Sequence, residues 1–287
     1  KSSEFVDLAQ DHALLKALLV HHGLVVETDI VRARPLTGGV SSTILRVDLP
    51  DRVVCVKQAL PKLKVAKDWH APTTRVFAEM DWLNAAHQVV PGHVPRVLTE
   101  IREHGAFVME FLNGLTNWKD DLLQGKVDLA VGHQTAQALV AIHAATAGRA
   151  DVAQRFAHDD TFYALRLEPY LEEAARVHPD LAAELRELIT VTQRTRKALV
   201  HGDVSPKNIM LGTQGPVLLD AECAWYGDPA FDLAFLLNHT LLKAIHMPAL
   251  APSLLALYDG IASTYLARVN WEPPAEFERR CALLLPG

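Results

Sequence analysis

The chain has 287 residues, of which 49% are hydrophobic and 22% charged, and its formal net charge is −6. That length holds one large domain or two smaller ones around a sizeable core, with the composition of a soluble globular protein. The charge leaves no electrostatic footprint for nucleic acid, residues 1–12 lack the basic-then-apolar order of a signal peptide, and no apolar run reaches the roughly 18 residues of a membrane span.

In chain order, residues 4–22 have apolar spacing near the helical repeat, closed by Gly23, which predicts a helix. The pattern then turns to strands at Ile30-Val-Arg-Ala-Arg34, Ser42-Thr-Ile-Leu-Arg-Val-Asp48 and Arg52-Val-Val-Cys-Val-Lys57. A Lys-rich loop over 60–72 leads to a predicted helix over 73–89. Two more strands, at Val97-Leu98 and from Ala106 to Leu112, end at Asn113-Gly114. From 127 onward the periodicity is mostly helical, over 127–146, 160–176, 180–196, 229–246, 252–268 and 274–284, with short strands interrupting it at 200–220. The expectation is an α+β chain of two lobes. Residues 1–112 form a five-stranded antiparallel sheet with one inserted helix, residues 113–287 are mostly helical, and the connection lies near 112–117. There is no internal repeat.

Cys55, Cys223 and Cys281 are few, odd in number and without C-x-x-C spacing, and read as reduced structural thiols in a cytoplasmic protein. Residues 1–109 carry 13 basic and 12 acidic side chains, whereas 110–287 carry 15 and 22. An acidic C-terminal part suits a cationic substrate, and a solvated acidic surface accounts for it equally. The same choice holds for Asp159, Asp160, Glu168, Glu172 and Glu173.

The densest chemistry lies in Val200-His201-Gly-Asp203-Val-Ser-Pro-Lys-Asn208, followed by an apolar strand that ends in Asp220. Phosphoryl transfer from ATP needs a carboxylate to orient or deprotonate the acceptor hydroxyl, and hard oxygen donors to hold magnesium on the phosphates. Asp203 suits the first role, and Asn208 and Asp220 the second. His201 is either a second base or a brace for the loop; the brace is the better reading, since Asp203 already fills the base role.

Upstream, Leu36-Thr-Gly38-Gly39-Val-Ser41-Ser lies between two strands. Paired glycines let backbone N–H groups approach a phosphate, although a plain hairpin looks the same. Lys57 ends an apolar strand, where it can reach the α- and β-phosphates, and Glu79 on the following helix can hold it there, with Asp81 as second candidate. The strand carrying Met109, Glu110 and, just beyond, Leu112 can offer backbone groups to an adenine edge. Glu222 stands two residues past Asp220 as a candidate for metal or for substrate. Asp232 opens an apolar helix, where a carboxylate is favoured in any fold. Trp225 and Tyr226 read as core by default, with an acceptor pocket as the alternative.

On these residues the chain resembles the aminoglycoside phosphotransferase and choline kinase superfamily, from the glycine-rich loop at 36 to about 245. The resemblance implies a bilobal protein-kinase-like fold, with Asp203 as catalytic base and Asn208 and Asp220 on magnesium. It also implies Lys57 on ATP with Glu79 behind it, backbone atoms of Glu110 and Leu112 on adenine, and structural roles for His201 and Asp232. Gly202 fits small-molecule kinases, where protein kinases usually carry arginine. Ser205 and Lys207 depart from the protein-kinase pattern, and the interval from Asp220 to Asp232 is too short for an activation loop. Lys57-Gln-Ala-Leu-Pro61, Trp69 and Asp220-Ala-Glu222 before Tyr226-Gly227 are similar to the methylthioribose kinases, while residues 113–200 carry no such similarity. The expected activity is ATP- and Mg2+-dependent phosphorylation of a small-molecule hydroxyl. The competing expectation is a catalytically silent nucleotide-binding pseudokinase.

Overall fold

In the computed structural model, which describes residues 5–36, 42–61 and 75–285, five strands pair antiparallel in the order β1-β2-β3-β5-β4. They are β1 (Arg32–Pro35), β2 (Ser42–Asp48), β3 (Val53–Ala59), β4 (Val97–Ile101) and β5 (Ala106–Glu110). Burial alternates along β2 and is nearly continuous along β3 and β5. β3 is the central strand, and every residue after Val53 is buried. Because side chains alternate across a strand, Val54 and Val56 join Leu45, Val47 and Val108 in a core closed by Leu15 and Leu19. Each such side chain is worth about 1.5–3 kcal/mol in burial.

Leu15 and Leu19 belong to α1 (His12–His21). The helix starts later than its apolar spacing predicts because Asp11 caps it, accepting the Leu14 amide at 2.9 Å, while the Asp7 carbonyl takes the Gln10 and Asp11 amides in a preceding turn. Gln58 anchors this N-terminal segment: its buried amide accepts from Leu8 N at 2.9 Å and donates to the carbonyls of Val6 and His104 at 2.9 Å each. α2 (Arg75–His87) follows β3. The predicted loop over 60–72 and its Trp69 fall largely outside the described residues.

The chain divides into two compact units, Lys1–Asn84 with Pro95–Asn113, and Ala85–Val94 with Gly114–Gly287. The second opens with β6 (Thr116–Asn117) and α3 (Trp118–Leu123), then α4 (Leu129–Thr146), α5 (Ala150–Arg155) and α6 (Asp159–Phe162). The chain continues without interruption as a π-helix over Tyr163–Glu172 into α7 (Glu173–Val177), followed by α8 (Ala182–Arg194). Four short strands come next: β7 (Ala198–Val200), β8 (Ile209–Gly212), β9 (Gly215–Leu218) and β10 (Trp225–Gly227). α9 (Pro229–His246), α10 (Ala251–Leu266) and α11 (Pro274–Leu284) complete the unit. β7 pairs with β10, and β6-β8-β9 form a three-stranded sheet.

α3 and α5 have six residues each, too few to show a period, and the sequence reading passes over both. The capping signal for α3 is nonetheless present, since Asn117 accepts the Lys119 amide at 3.0 Å. The helix predicted over 160–176 is continuous but widened. Pro169 lies inside it, lacks an N–H and clashes with an ordinary α-helical turn, and the π geometry accommodates it. α9 and α10 form much of the core through Leu233, Leu236, Leu237, Leu254, Leu257 and Ile261, all buried. Among the described residues no single helix is long and apolar enough to cross a membrane; α9 and α10 pass on length and composition only as a pair, bent by 118°.

Candidate active site

In the first unit, strand alternation puts Lys57 on the sheet face opposite the α1 core. It sits on β3 between Ile44 of β2 and Phe107 of β5. Its Nζ lies 2.6 Å from Glu79 Oε2 on α2, and both residues are buried, at 3% and 2% exposure. A buried charge is costly unless it is compensated, and at this distance each compensates the other. Cys55, two residues before on the same face, is a buried thiol whose pKa burial pushes up to about 12, which keeps it protonated and inert. At the end of β5 the Glu110 amide donates to the Arg96 carbonyl at 3.0 Å. The Leu112 amide has no partner among the described residues. Gly38, Gly39 and Ser41 lie outside the described residues.

In the second unit β7 delivers the chain into the loop at 201–208. Asp232, fully buried in the first turn of α9, receives that loop: its two carboxylate oxygens accept the amides of His201 at 2.7 Å and Gly202 at 2.8 Å. His143 of α4 stands behind it, with Nε2 3.0 Å from the same carboxylate and Nδ1 2.5 Å from the Tyr265 hydroxyl of α10. Burial first, then the Asp232 charge, hold the Tyr265 pKa well above the ordinary phenol value. Tyr265 is therefore the donor to Nδ1, and the imidazole donates from Nε2 to Asp232.

His201 faces the loop from inside. Its Nδ1 accepts the Asp203 amide at 3.1 Å, so its Nε2 carries the proton that it donates to the Leu219 carbonyl at 3.0 Å. Burial pushes its pKa below the ordinary imidazole value, and nearby Asp232 only partly offsets this. A neutral imidazole with both nitrogens engaged is a brace, not a base. Gly202 has φ +82°, and a Cβ there would lie 2.8 Å from the Cys223 carbonyl oxygen. Both the left-handed backbone and the close approach exclude a side chain.

Asp203 is buried but for 7% of its surface. Its carboxylate meets Arg166 Nη2 at 2.8 Å and Lys207 Nζ at 3.9 Å. Arg166 stands on the π-helix and is itself anchored, its Nε donating to the Gly202 carbonyl and its Nη1 to its neighbour Leu165, at 2.6 Å each. Asn208 folds back so that its Nδ2 donates to the Asp203 carbonyl at 3.0 Å. The Leu219 amide donates to the Asn208 carbonyl at 2.9 Å, which brings Asn208 beside the end of β9 and Asp220. Asp220 has φ +66°, the one described non-glycine residue at positive φ, a strained position of the kind that clusters at functional sites. The Ser205 hydroxyl, buried beside Asp203, has no protein partner among the described residues.

This donor set fits magnesium. With its Nδ2 committed, Asn208 has only its amide oxygen left to offer, and Asp220 has a carboxylate; both are the hard oxygens that magnesium takes. Glu222 is partly exposed on the turn after Asp220, and its charge acts on Arg166. Trp225 and Tyr226 are buried at 1% and 4% exposure, Trp225 stacking on Phe162 at 4.3 Å, so both are core.

The structure thus brings Asp203, His201, Asn208, Asp220 and Asp232 together in one unit and pairs Lys57 with Glu79 in the other. Sequence reasoning missed Arg166, His143 and Tyr265. Of these His143 left a signal, a lone polar side chain in the apolar run from Ala138 to Ala145.

The sequence pattern of the phosphotransferase enzyme family (APH) matches residues 32–271. A methylthioribose kinase of Exiguobacterium sibiricum is 26% identical over 247 residues, covering 77% of this chain and 63% of that protein. One of Yersinia pseudotuberculosis is 28% identical over 228 residues, covering 69% and 55%. The chain therefore spans about 55–63% of the length of these curated relatives. Among solved structures, an ethanolamine kinase of Plasmodium vivax superimposes with a TM-score of 0.65 at 14% identity, over 99% of this chain and 81% of that one. A choline kinase of Cryptosporidium parvum gives 0.56 at 10% identity, over 96% and 95%. A macrolide 2'-phosphotransferase type I gives 0.54 at 16%, over 98% and 89%. At such identities these structures establish the fold alone, a bilobal kinase-like one.

Proposed function

This chain belongs to the phosphotransferase enzyme family, and on that premise we propose that it moves the γ-phosphoryl group of ATP directly to a hydroxyl of a small molecule such as a sugar, an aminoglycoside or an amino alcohol. The observation that carries the reading is the setting of Asp203. A carboxylate nearly out of solvent is held by His201 through its amide, by Arg166 through its oxygen and by Asn208 through its carbonyl. That arrangement suits a group that orients an incoming hydroxyl and accepts its proton as the bond to phosphorus forms. In this scheme Arg166 fixes the carboxylate's direction and is a positioning residue.

The reading assigns residues 1–112 to the nucleotide and 113–287 to the acceptor. Lys57, held by Glu79, takes the α- and β-phosphates. Backbone groups of Met109, Glu110 and Leu112 take the adenine, and the segment with Gly38, Gly39 and Ser41 the phosphate oxygens. Asn208 and Asp220 hold Mg2+, with Glu222 as a further candidate ligand or substrate contact. When bound, the ion supplies charge neutralisation on the phosphates. Transfer of this kind rests mostly on positioning and electrostatics. Three buried free thiols accord with a reducing cytoplasmic setting.

A second reading, a methylthioribose-kinase-like sugar acceptor, is favoured by the curated relatives. The test of the main reading is Asp203→Asn. Turnover is expected to fall by about 10²–10⁴-fold, the usual worth of general acid–base catalysis, while ATP binding is unchanged. Wild-type turnover in that variant would remove Asp203 from the mechanism. Magnesium-dependent ATP binding with no transfer to any of a broad panel of hydroxylated acceptors would favour the pseudokinase instead.

A further inference from the structure

The second unit holds a group of lysines that its acidic overall composition hides. α9 presents Phe231, Phe235, His239 and Lys243 at successive i, i+4 positions, one stripe along the helix. Phe231 and Phe235 stack at 5.7 Å, and Phe235 meets the His239 ring edge-on at 5.1 Å. The stripe ends in Lys243, which is buried at 9% exposure and makes no side-chain hydrogen bond or ion pair among the described residues. A buried ammonium without a counter-charge is costly and rare.

Two more lysines converge there. Asn117, the cap of α3, donates to the Lys207 carbonyl at 2.8 Å, which places Lys119 in the first turn of α3 on the same surface as Lys207. Lys207 in turn reaches to 3.9 Å from the Asp203 carboxylate. The ionisation of the group agrees. Burial, then Lys243, Lys207 and Lys119, push the His239 pKa down to about 4. Burial, then Lys119, push the Lys243 ammonium below the ordinary lysine value. No carboxylate is among the causes of either shift.

Four acidic residues of this unit are engaged elsewhere, Asp121 with Lys126, Asp159 with Arg196, Glu172 with Arg186 and Glu173 with Arg176, whereas Asp203 and Glu222 act on Arg166. Asp120 adjoins Lys119 in sequence and is exposed, but neighbours at i, i+1 on a helix do not face each other.

We propose that Lys119, Lys207 and Lys243, with His239 and the Phe231–Phe235 stripe beside them, form the acceptor subsite for an oxyanion. The molecule phosphorylated at Asp203 is then a hydroxylated acid, a carboxylate or a phosphate ester, and not an amine. The aromatic stripe packs the body of the acceptor and the lysines fix its charged end. The inference rests on the phosphotransfer reading for what is done to that acid, but the oxyanion subsite stands apart from it.

The test uses four probes of one body: D-glucose, D-glucosamine, D-gluconate and D-glucose 6-phosphate. Binding is measured by calorimetry with ADP and Mg2+ present, and ATP consumption is measured in parallel, for the wild type, Lys243→Gln and Lys119→Gln. At least one acid is expected to bind tenfold or more tightly than glucose and glucosamine, and whichever acid binds tells carboxylate from phosphate. Each substitution should cut that affinity at least fivefold and leave the ATP KM unchanged. Lys243→Gln removes an unpaired buried charge, so its thermal midpoint should not fall; Lys119 is exposed, and its variant keeps the test standing if Lys243→Gln misfolds.

Acids that bind no better than the neutral and cationic probes overturn the inference, as does an acid preference that survives both substitutions. A raised ATP KM with acid binding intact overturns it too, because the lysines would then serve the nucleotide. Acid binding without any phosphate transfer upholds the subsite and counts against the phosphotransfer reading alone.

Discussion

The two units hold their charged groups by different means. In the first, Lys57 and Glu79 face each other at 2.6 Å across a strand and a helix, both of them buried. In the second, Asp232 gathers backbone amides of the 201–208 loop and the His143–Tyr265 relay, so that α4, α9, α10 and the loop close on one carboxylate. A pair tunes one side chain, whereas a hub fixes a backbone. Damage to the hub should therefore reach stability and turnover together, and damage to the pair should appear mainly as weaker nucleotide binding.

The largest effect is expected at the hub. Asp232→Ala leaves the His201 and Gly202 amides and the His143 Nε2–H without an acceptor. Each buried donor so stranded costs about 1–3 kcal/mol, giving a loss on the order of 5 kcal/mol in chemical denaturation together with loss of turnover. Retained stability with lost turnover would show that the loop does not depend on this carboxylate for its shape.

Glu79→Gln comes next. It keeps the shape of the side chain and removes the charge that faces the buried Lys57 ammonium at 2.6 Å; breaking a buried ion pair costs about 3–5 kcal/mol, and the lower end is expected, since the amide still offers an oxygen. The ATP KM should rise by tenfold or more while the KM for the acceptor stays put. A change confined to the acceptor would break the division of labour between the units.

Gly202→Ala is smaller and sharper. A left-handed backbone costs an L-residue about 1–2 kcal/mol, and the new methyl would press on the Cys223 carbonyl oxygen, 2.8 Å away. A modest fall in stability should accompany a disproportionate fall in kcat, because a displacement of about 1 Å at a reacting group costs about 100-fold, and Asp203 is the next residue.

The same contrast governs what the sequence disclosed. The five strands, Lys57, Glu79 and the order His201, Asp203, Asn208, Asp220 were legible because fixed spacing on regular elements encodes them. So was the role of Asp232, through its place at a helix start. Arg166 was not legible: its partner lies 37 positions away, and only the π-helix around Pro169 aims it at Asp203. His143 and Tyr265 are likewise joined to Asp232 across three helices with no common motif. Net charge is silent on the lysines in a similar way: residues 110–287 carry 22 acidic against 15 basic side chains, and the three lysines of the proposed subsite are scattered over positions 119, 207 and 243.

The lysine group yields the smallest effect, and its sign follows from which state takes up protons. The folded pKa of His239 is about 4, against an ordinary 6.5. Below about pH 6.5 the unfolded chain binds a proton there that the folded chain refuses. Stability falls with pH from that point and levels off near pH 4, where both states are protonated. The loss should be on the order of 1 kcal/mol, since His239 is only partly buried and solvent screens the neighbouring lysines. Buried His201, whose pKa is also lowered, adds a loss of the same sign. His239→Gln should therefore flatten the acid limb of the denaturation midpoint between pH 6.5 and 4 without abolishing it, and should leave the midpoint at pH 8 unchanged. An acid limb identical to that of the wild type would mean that the imidazole does not feel the three lysines, and would remove the electrostatic support for an oxyanion beside Asp203.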